Sequence, residues 1–171
     1  MSLHLVIDGY NLIRQSSWLS LLDARDLEEG REALLQALAK YRRRRPQHKI
    51  TVVFDGWQGG ALRESRDLCQ GVNVIYSRRG ERADEVIKRL LPREGRRAVM
   101  VSSDRELQEC AERAGATWVA AGEFDRQFLR GLPSEESEDQ EDAAPRRGPK
   151  KGPAHRPKKS LRQKKERLRK L

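Results

Sequence analysis

Three hydrophobic runs in this chain close on an aspartate, and a fourth aspartate opens an amphipathic stretch. LHLVID ends at Asp8, KITVVFD at Asp55 and AVMVSSD at Asp104, while ADEVIKRLL carries Asp84 at its second position. Short Val- and Ile-rich runs bounded by turn residues read as strands buried on both faces. With VNVIYS and ATWVAA added, strands are predicted at 3–8, 49–55, 72–77, 98–103 and 116–121.

Helical periodicity fills the gaps between them. In DARDLEEGREALLQALAKYRRRR, apolar Leu27, Ala33, Leu34, Leu35, Leu38 and Tyr41 recur every three or four residues, and Pro46 ends the pattern. A second helix is expected over ADEVIKRLL, stopped by Pro92. A third follows over RELQECAERAG with Gly115 as its C-terminal cap, and a last piece covers EFDRQFLRGL. Strand and helix in alternation imply an α/β fold: a doubly wound, mostly parallel, Rossmann-like sheet of about five strands with helices on both faces.

In such a sheet, residues that close neighbouring parallel strands meet at the carboxyl edge, where open α/β proteins bind ligands. Asp8, Asp55, Asp84 and Asp104 are therefore expected to converge. Close carboxylates repel unless cations sit between them, so the pattern predicts a Mg²⁺ or Mn²⁺ site of one or two ions and metal-dependent hydrolysis of a phosphodiester. Taken one at a time, each acid has an ordinary alternative: Asp8 and Asn11 can form an Asx turn, and Asp84 and Glu85 can charge a helix N-terminus. Repetition at three strand ends favours the shared site. Asn11 has an amide able to orient a carboxylate or a bound water, Gly9 permits a tight turn, and Ser102 and Ser103 add hydroxyls beside Asp104. Glu81, Glu106, Glu123 and Asp125 are more distant acids for which solvated or capping roles are the simpler reading.

The formal charge of +10 at 171 residues points to a polyanionic partner, and nucleic acid needs cations near an acidic centre. Arg78, Arg79 and Arg82 precede Asp84, and Arg14 and Arg105 follow other strand ends, as candidates for RNA phosphates. Tyr10 and Trp57 are candidate stacking surfaces for unpaired bases. His4, His48 and His155 lack metal-ligand spacing, and Cys69 and Cys110 lie far apart, which argues against zinc and against a disulfide. No GxxxxGK[ST] loop supports a nucleotide cofactor, and no second acid stands two residues after Asp8 as a DxD phosphatase requires. No run approaches the length of a membrane span, and the expected location is cytoplasmic.

Composition divides the chain into a domain at 1–132, an acidic linker at 133–145 (PSEESEDQEDAAP) and a basic tail at 146–171. Both appended segments are too polar to offset their ordering entropy and are expected to be disordered, with SLRQKKERLRKL helical only on a partner.

With VIDGYN, VVFDG, YSRRGERADEVI and VSSDREL in this order, residues 3–131 resemble the NYN branch of PIN-like nucleases, specifically the bacterial YacP-like subgroup, with the tail outside the resemblance. The resemblance implies a metal-dependent endoribonuclease cleaving single-stranded RNA, with Asp8, Asp55, Asp84 and Asp104 binding Mg²⁺ or Mn²⁺ and Asn11 and Ser103 in support. It also implies work in mRNA decay or RNA processing, with the ribosome as a candidate partner. Position 85 is Glu where relatives with an ADD-like pair carry Asp. The rival reading is a PIN-like domain that grips RNA or a ribosomal surface without cleaving.

Overall fold

The computed structural model describes residues 2–56, 61–130 and 166–171. Strands β1 (His4–Asp8), β2 (Lys49–Phe54), β3 (Ser65–Cys69), β4 (Val72–Tyr76), β5 (Ala98–Val101) and β6 (Thr117–Val119) form one sheet in the order β3-β4-β2-β1-β5-β6. All neighbours are parallel except β3 with β4. The sheet is thus six-stranded and mostly parallel, as the sequence suggests, with one strand more than the roughly five expected and one antiparallel pair.

Strand alternation feeds two cores. Leu5, Ile7, Val52, Phe54, Val99 and Val101 face α1 (Gly9–Gln15), α3 (Leu27–Arg44) and α6 (Ala121–Phe124), whose Leu12, Leu34, Leu38 and Phe124 are fully buried. Val6, Val53, Ile75 and Met100 face α4 (Ala83–Glu94) and α5 (Arg105–Arg113) through Val86, Ile87, Leu91, Leu107 and Ala111. Each of the Val, Leu, Ile, Phe and Met side chains among them contributes about 1.5 to 3 kcal/mol by leaving water. The helix α2 (Leu19–Asp23) links α1 to α3, and a π turn over Asp125–Leu129 continues α6.

The additional strand β3 escapes a pattern-based reading because its residues are exposed along nearly its whole length. As an edge it carries Arg66 and Asp67 instead of an apolar face, which discourages pairing with another chain. Its turn is Gln70-Gly71, both with positive φ (47° and 83°), and Cys69 pairs with Val72 as in a two-residue hairpin. Two other expectations change. Helix α4 does not stop at Pro92 but runs through it to Glu94. Gly9 makes no turn: it begins α1 directly after β1, where any Cβ would overlap the Phe54 ring.

Within 146–171, residues 166–171 rest on the domain itself, where the sequence suggests order only on a partner. Leu171 is buried in the first core, Leu168 packs beside it, and the Tyr41 hydroxyl donates to the Leu171 carbonyl at 2.9 Å. His48 accepts from the Leu3 N–H on Nδ1 at 3.2 Å, which leaves Nε2–H to donate to the Lys170 carbonyl at 2.9 Å. The linker 133–145 and the rest of the tail lie outside the described residues. Among the described residues no helix is long and apolar enough to cross a membrane.

Candidate active site

The chain runs outward from β1 through β2 to β4, then returns to place β5 on the other side of β1. The order therefore reverses between β1 and β5, and a crevice is expected at the carboxyl ends there. Asp8 ends β1, Asp55 follows β2, and Asp104 follows β5 as the N-cap of α5. The second residue of α4 is Asp84, and α4 is brought to the same edge by an unusual cap. Arg82 makes no side-chain cap, and the Ala83 N–H donates instead to Asp55 Oδ1, 28 residues away.

Capping and clustering coexist at these acids. Asp8 Oδ1 accepts from the Asn11 N–H at 3.3 Å, and Asp104 Oδ1 from the Leu107 N–H at 3.0 Å. One oxygen of each of Asp8, Asp55 and Asp104 is thus fixed by a helix start, which orients the carboxyl. Of the four acids, only Asp84 has a cation partner among the described residues, Arg82 at 3.7 Å.

Their charges act on one another. Burial pushes Asp8, which is 8% exposed, up to about 6; the charges of Asp84 and Asp55 add to the rise, and the bonds from Asn11 and Ser102 oppose it. Asp84 is also raised, first by burial and then by Asp104 and Asp55 against the pull of Arg82. All four acids predicted from sequence are therefore in electrostatic contact. Oxygen-only donors, three of the four without a cation partner among the described residues, suit a hard divalent ion, and Mg²⁺ and Mn²⁺ are of that kind. Among the described residues, no three acids, histidines or cysteines stand close enough together to hold an ion.

A hydroxyl network sets the crevice. Ser102, fully buried, donates to Asp8 Oδ2 at 3.5 Å and accepts from the Asp104 N–H at 3.1 Å. It is the residue that the sequence reading undervalues; its signal is a hydroxyl between a strand and an acid. Asn11 has a different task from the one expected: its Oδ1 accepts from the Ser103 N–H at 2.8 Å, clipping α1 to the end of β5. Ser103 Oγ in turn accepts from the Ala121 N–H at 3.1 Å.

Other expected members stand apart. Glu85 is exposed and pairs with Lys88 at 3.1 Å, which also holds Glu106 at 2.8 Å across to α5. Asp125 is buried between Trp18 Nε1 at 3.0 Å and Arg130 at 2.9 Å, and Glu123 accepts from Gln127. Tyr10, half-buried, packs edge-on to Phe54 with centroids 5.2 Å apart, accepts from Arg31 at 3.3 Å and lies under Arg14 at 5.9 Å. Arg105 projects into solvent beside Glu109. Trp57 lies outside the described residues. Arg78, Arg79 and Arg82 line an open groove of about 670 Å³ beside the start of α4.

A six-stranded α/β sheet with helices on both faces and aspartates at the switch-point edge defines an open α/β protein with an acidic ligand-binding edge. The profile of the YacP-like NYN domain matches residues 5–170, and the chain belongs to that family. The match runs through the basic tail, so the family resemblance does not stop near 131. The NYN domain belongs to a nuclease superfamily, which points to a nuclease-like, RNA-related class of function. The uncharacterized protein YacP of Bacillus subtilis (strain 168) is 36% identical over 86 residues, covering 50% of this chain and 49% of that one. The match thus spans about half the length of that curated relative. The crystal structure of Rae1 (YacP) from Bacillus subtilis superposes with a TM-score of 0.61 at 30% identity, covering 75% of this chain and 74% of that one. A mutant of the same protein gives 0.60 at 29% identity, covering 74% of each chain.

Proposed function

We propose that this chain is a divalent-metal-dependent endoribonuclease that hydrolyses single-stranded RNA. The observation that carries the reading is the placement of Asp8, Asp55 and Asp104 at or after the ends of three neighbouring strands, with Asp84 brought to the same edge where Asp55 caps α4, and with three of the four lacking a cation partner among the described residues. These four would hold one or two Mg²⁺ or Mn²⁺ ions. Such an ion, when bound, lowers the pKa of a water and offsets charge on the phosphodiester. The chain's own part is positional. Helix-start N–H groups fix one oxygen of Asp8, Asp55 and Asp104, Ser102 joins Asp8 to Asp104, and Asn11 holds the β5 end against α1.

Hydrolysis by water fits the residues at hand, because none of the four acids has a Ser-His or Cys-His pair beside it to act as a covalent nucleophile. The expected setting is cytoplasmic mRNA decay or RNA processing, with the basic tail as the contact to a polyanionic surface such as the ribosome. A second reading, an RNA- or ribosome-binding module that does not cleave, is favoured by one observation: the described acids do not close around a single point.

Cleavage of a labelled single-stranded RNA with Mn²⁺ decides between them. Asp8→Asn and Asp84→Asn should each lower the rate by at least about 100-fold while melting cooperatively, as expected when groups that stabilise developing charge are removed. Cleavage by both variants at the wild-type rate refutes the enzyme reading.

A further inference from the structure

The groove beside α4 has a floor that the acidic crevice does not explain. Glu81 is a carboxylate only 8% exposed, on the loop between β4 and α4. It binds the Arg89 guanidinium and lies 3.6 Å from Arg78 Nε. Those two arginines pull its pKa below the usual carboxylate range, so it stays charged. Arg89 is gripped from its other side by Glu64 at 2.8 Å, which also holds Arg66 at 2.8 Å. The loop is rigid at its root: buried Ser77 donates to the Glu81 carbonyl at 2.6 Å and accepts from the Gly56 N–H at 2.9 Å.

One buried anion thus spreads two guanidinium groups along one wall. Arg79 and Arg82 continue the same wall on the turn around Gly80, whose positive φ of 78° suits glycine. Arg79 is exposed and has no side-chain ion pair among the described residues, while Arg82 reaches Asp84 at 3.7 Å. The row of cations therefore begins at a carboxylate of the acidic crevice and leads away from it.

We propose that this groove is the subsite for backbone phosphates of the RNA on one side of the scissile bond, and that Glu81 is a positioning residue that holds Arg78 and Arg89 in place to meet them. The inference rests on the ribonuclease reading above and names where that substrate lies. Guanidinium groups suit phosphate because their paired N–H donors match two oxygens, and a fixed fork loses less freedom on binding than a free one.

The test measures equilibrium binding of an unstructured single-stranded RNA by the full chain in EDTA, with cleavage in Mn²⁺ measured alongside. Removing a negative charge beside a polyanion would, by charge alone, tighten binding. A positioning role predicts the opposite for Glu81→Ala: binding about tenfold weaker, the scale of a lost charge-assisted contact, expressed in KM with kcat little changed. Glu81→Asp should recover part of that loss. Arg89→Ala should cost much less in the Glu81→Ala background than in the wild type, since the two act as a unit. Arg79→Ala, at an exposed turn where folding is not at stake, should flatten the log-log salt dependence by about 0.7. Equal or tighter binding by Glu81→Ala, or an unchanged slope for Arg79→Ala, overturns the subsite; if the wild type still cleaves, the ribonuclease reading survives. Absence of RNA binding by the wild type overturns both.

Discussion

Replacing Asp8 by Asn should stabilise the metal-free protein while abolishing its proposed activity. Burial and the neighbouring acids lift Asp8 from 3.8 to about 6 in the folded chain. Between those values the folded chain keeps a proton that the unfolded chain has released, so wild-type stability falls as pH rises through the window. Above about pH 6 the deficit is complete. A gap of about two units corresponds to about 3 kcal/mol, at 1.36 kcal/mol per unit. Asparagine caps helices as well as aspartate and can still accept from the Asn11 N–H, so little is lost against that gain.

Thermal unfolding in EDTA across pH 4 to 8 measures the effect. For a domain of this size about 3 kcal/mol corresponds to a Tm difference on the order of 10 °C. The Asp8→Asn variant should melt higher than wild type at pH 7.5, and the gap should close toward pH 4. Adding Mn²⁺ should reverse the order, because an ion bound only by the folded wild type stabilises it by mass action. A variant that melts no higher than wild type in EDTA at pH 7.5, or a gap that widens on acidification, refutes the reasoning.

Mn²⁺ affinity, read by titration calorimetry, should fall as pH drops through about 6, with protons released on binding at lower pH, because Asp8 must ionise to act as a ligand. Gly9→Ala forces a methyl into the Phe54 ring and should destabilise the fold by about 1 to 3 kcal/mol in denaturant unfolding. Asn11→Ala leaves the Ser103 N–H without its acceptor and should cost about 1 to 3 kcal/mol, with a loss of cleavage as the β5 end shifts. Changing the Lys and Arg residues of 146–165 to Gln should weaken RNA binding and flatten its salt dependence, and an unaltered slope would count against a role for the tail.

The parts of this fold that were legible in the sequence are those where burial repeats with a period. Val- and Ile-rich β1, β2, β4 and β5 and the stripes of α3, α4 and α5 follow that rule. Strand β3 does not, because an edge strand with exposed residues is held by backbone pairing and by its turn. Helices α1 and α2 are too short, at 7 and 5 residues, for a stripe to repeat. That Asp8, Asp55 and Asp104 stand at or after the ends of neighbouring strands on one edge was readable because strand ends share an edge in a parallel sheet, though no three acids among the described residues stand close enough to hold one ion. What could not be read was the direction of each side chain. Asn11 and Asp8 are close in sequence, yet Asn11 turns its carbonyl oxygen to Ser103, 92 residues on. The contacts of Tyr10 with Phe54 and Arg31 likewise join residues distant in sequence. Ser102 joins two acids through contacts that depend on β1 and β5 being neighbours, a fact of topology.

Anomalous scattering from a crystal soaked in Mn²⁺ at pH 7.5, above the Asp8 value, bears most directly on the shared-acid site. A peak within ligand reach of carboxylate oxygens from at least two of Asp8, Asp55, Asp84 and Asp104, with the others linked through bound waters, is the predicted result. Saturating Mn²⁺ with no peak among these four side chains would contradict it.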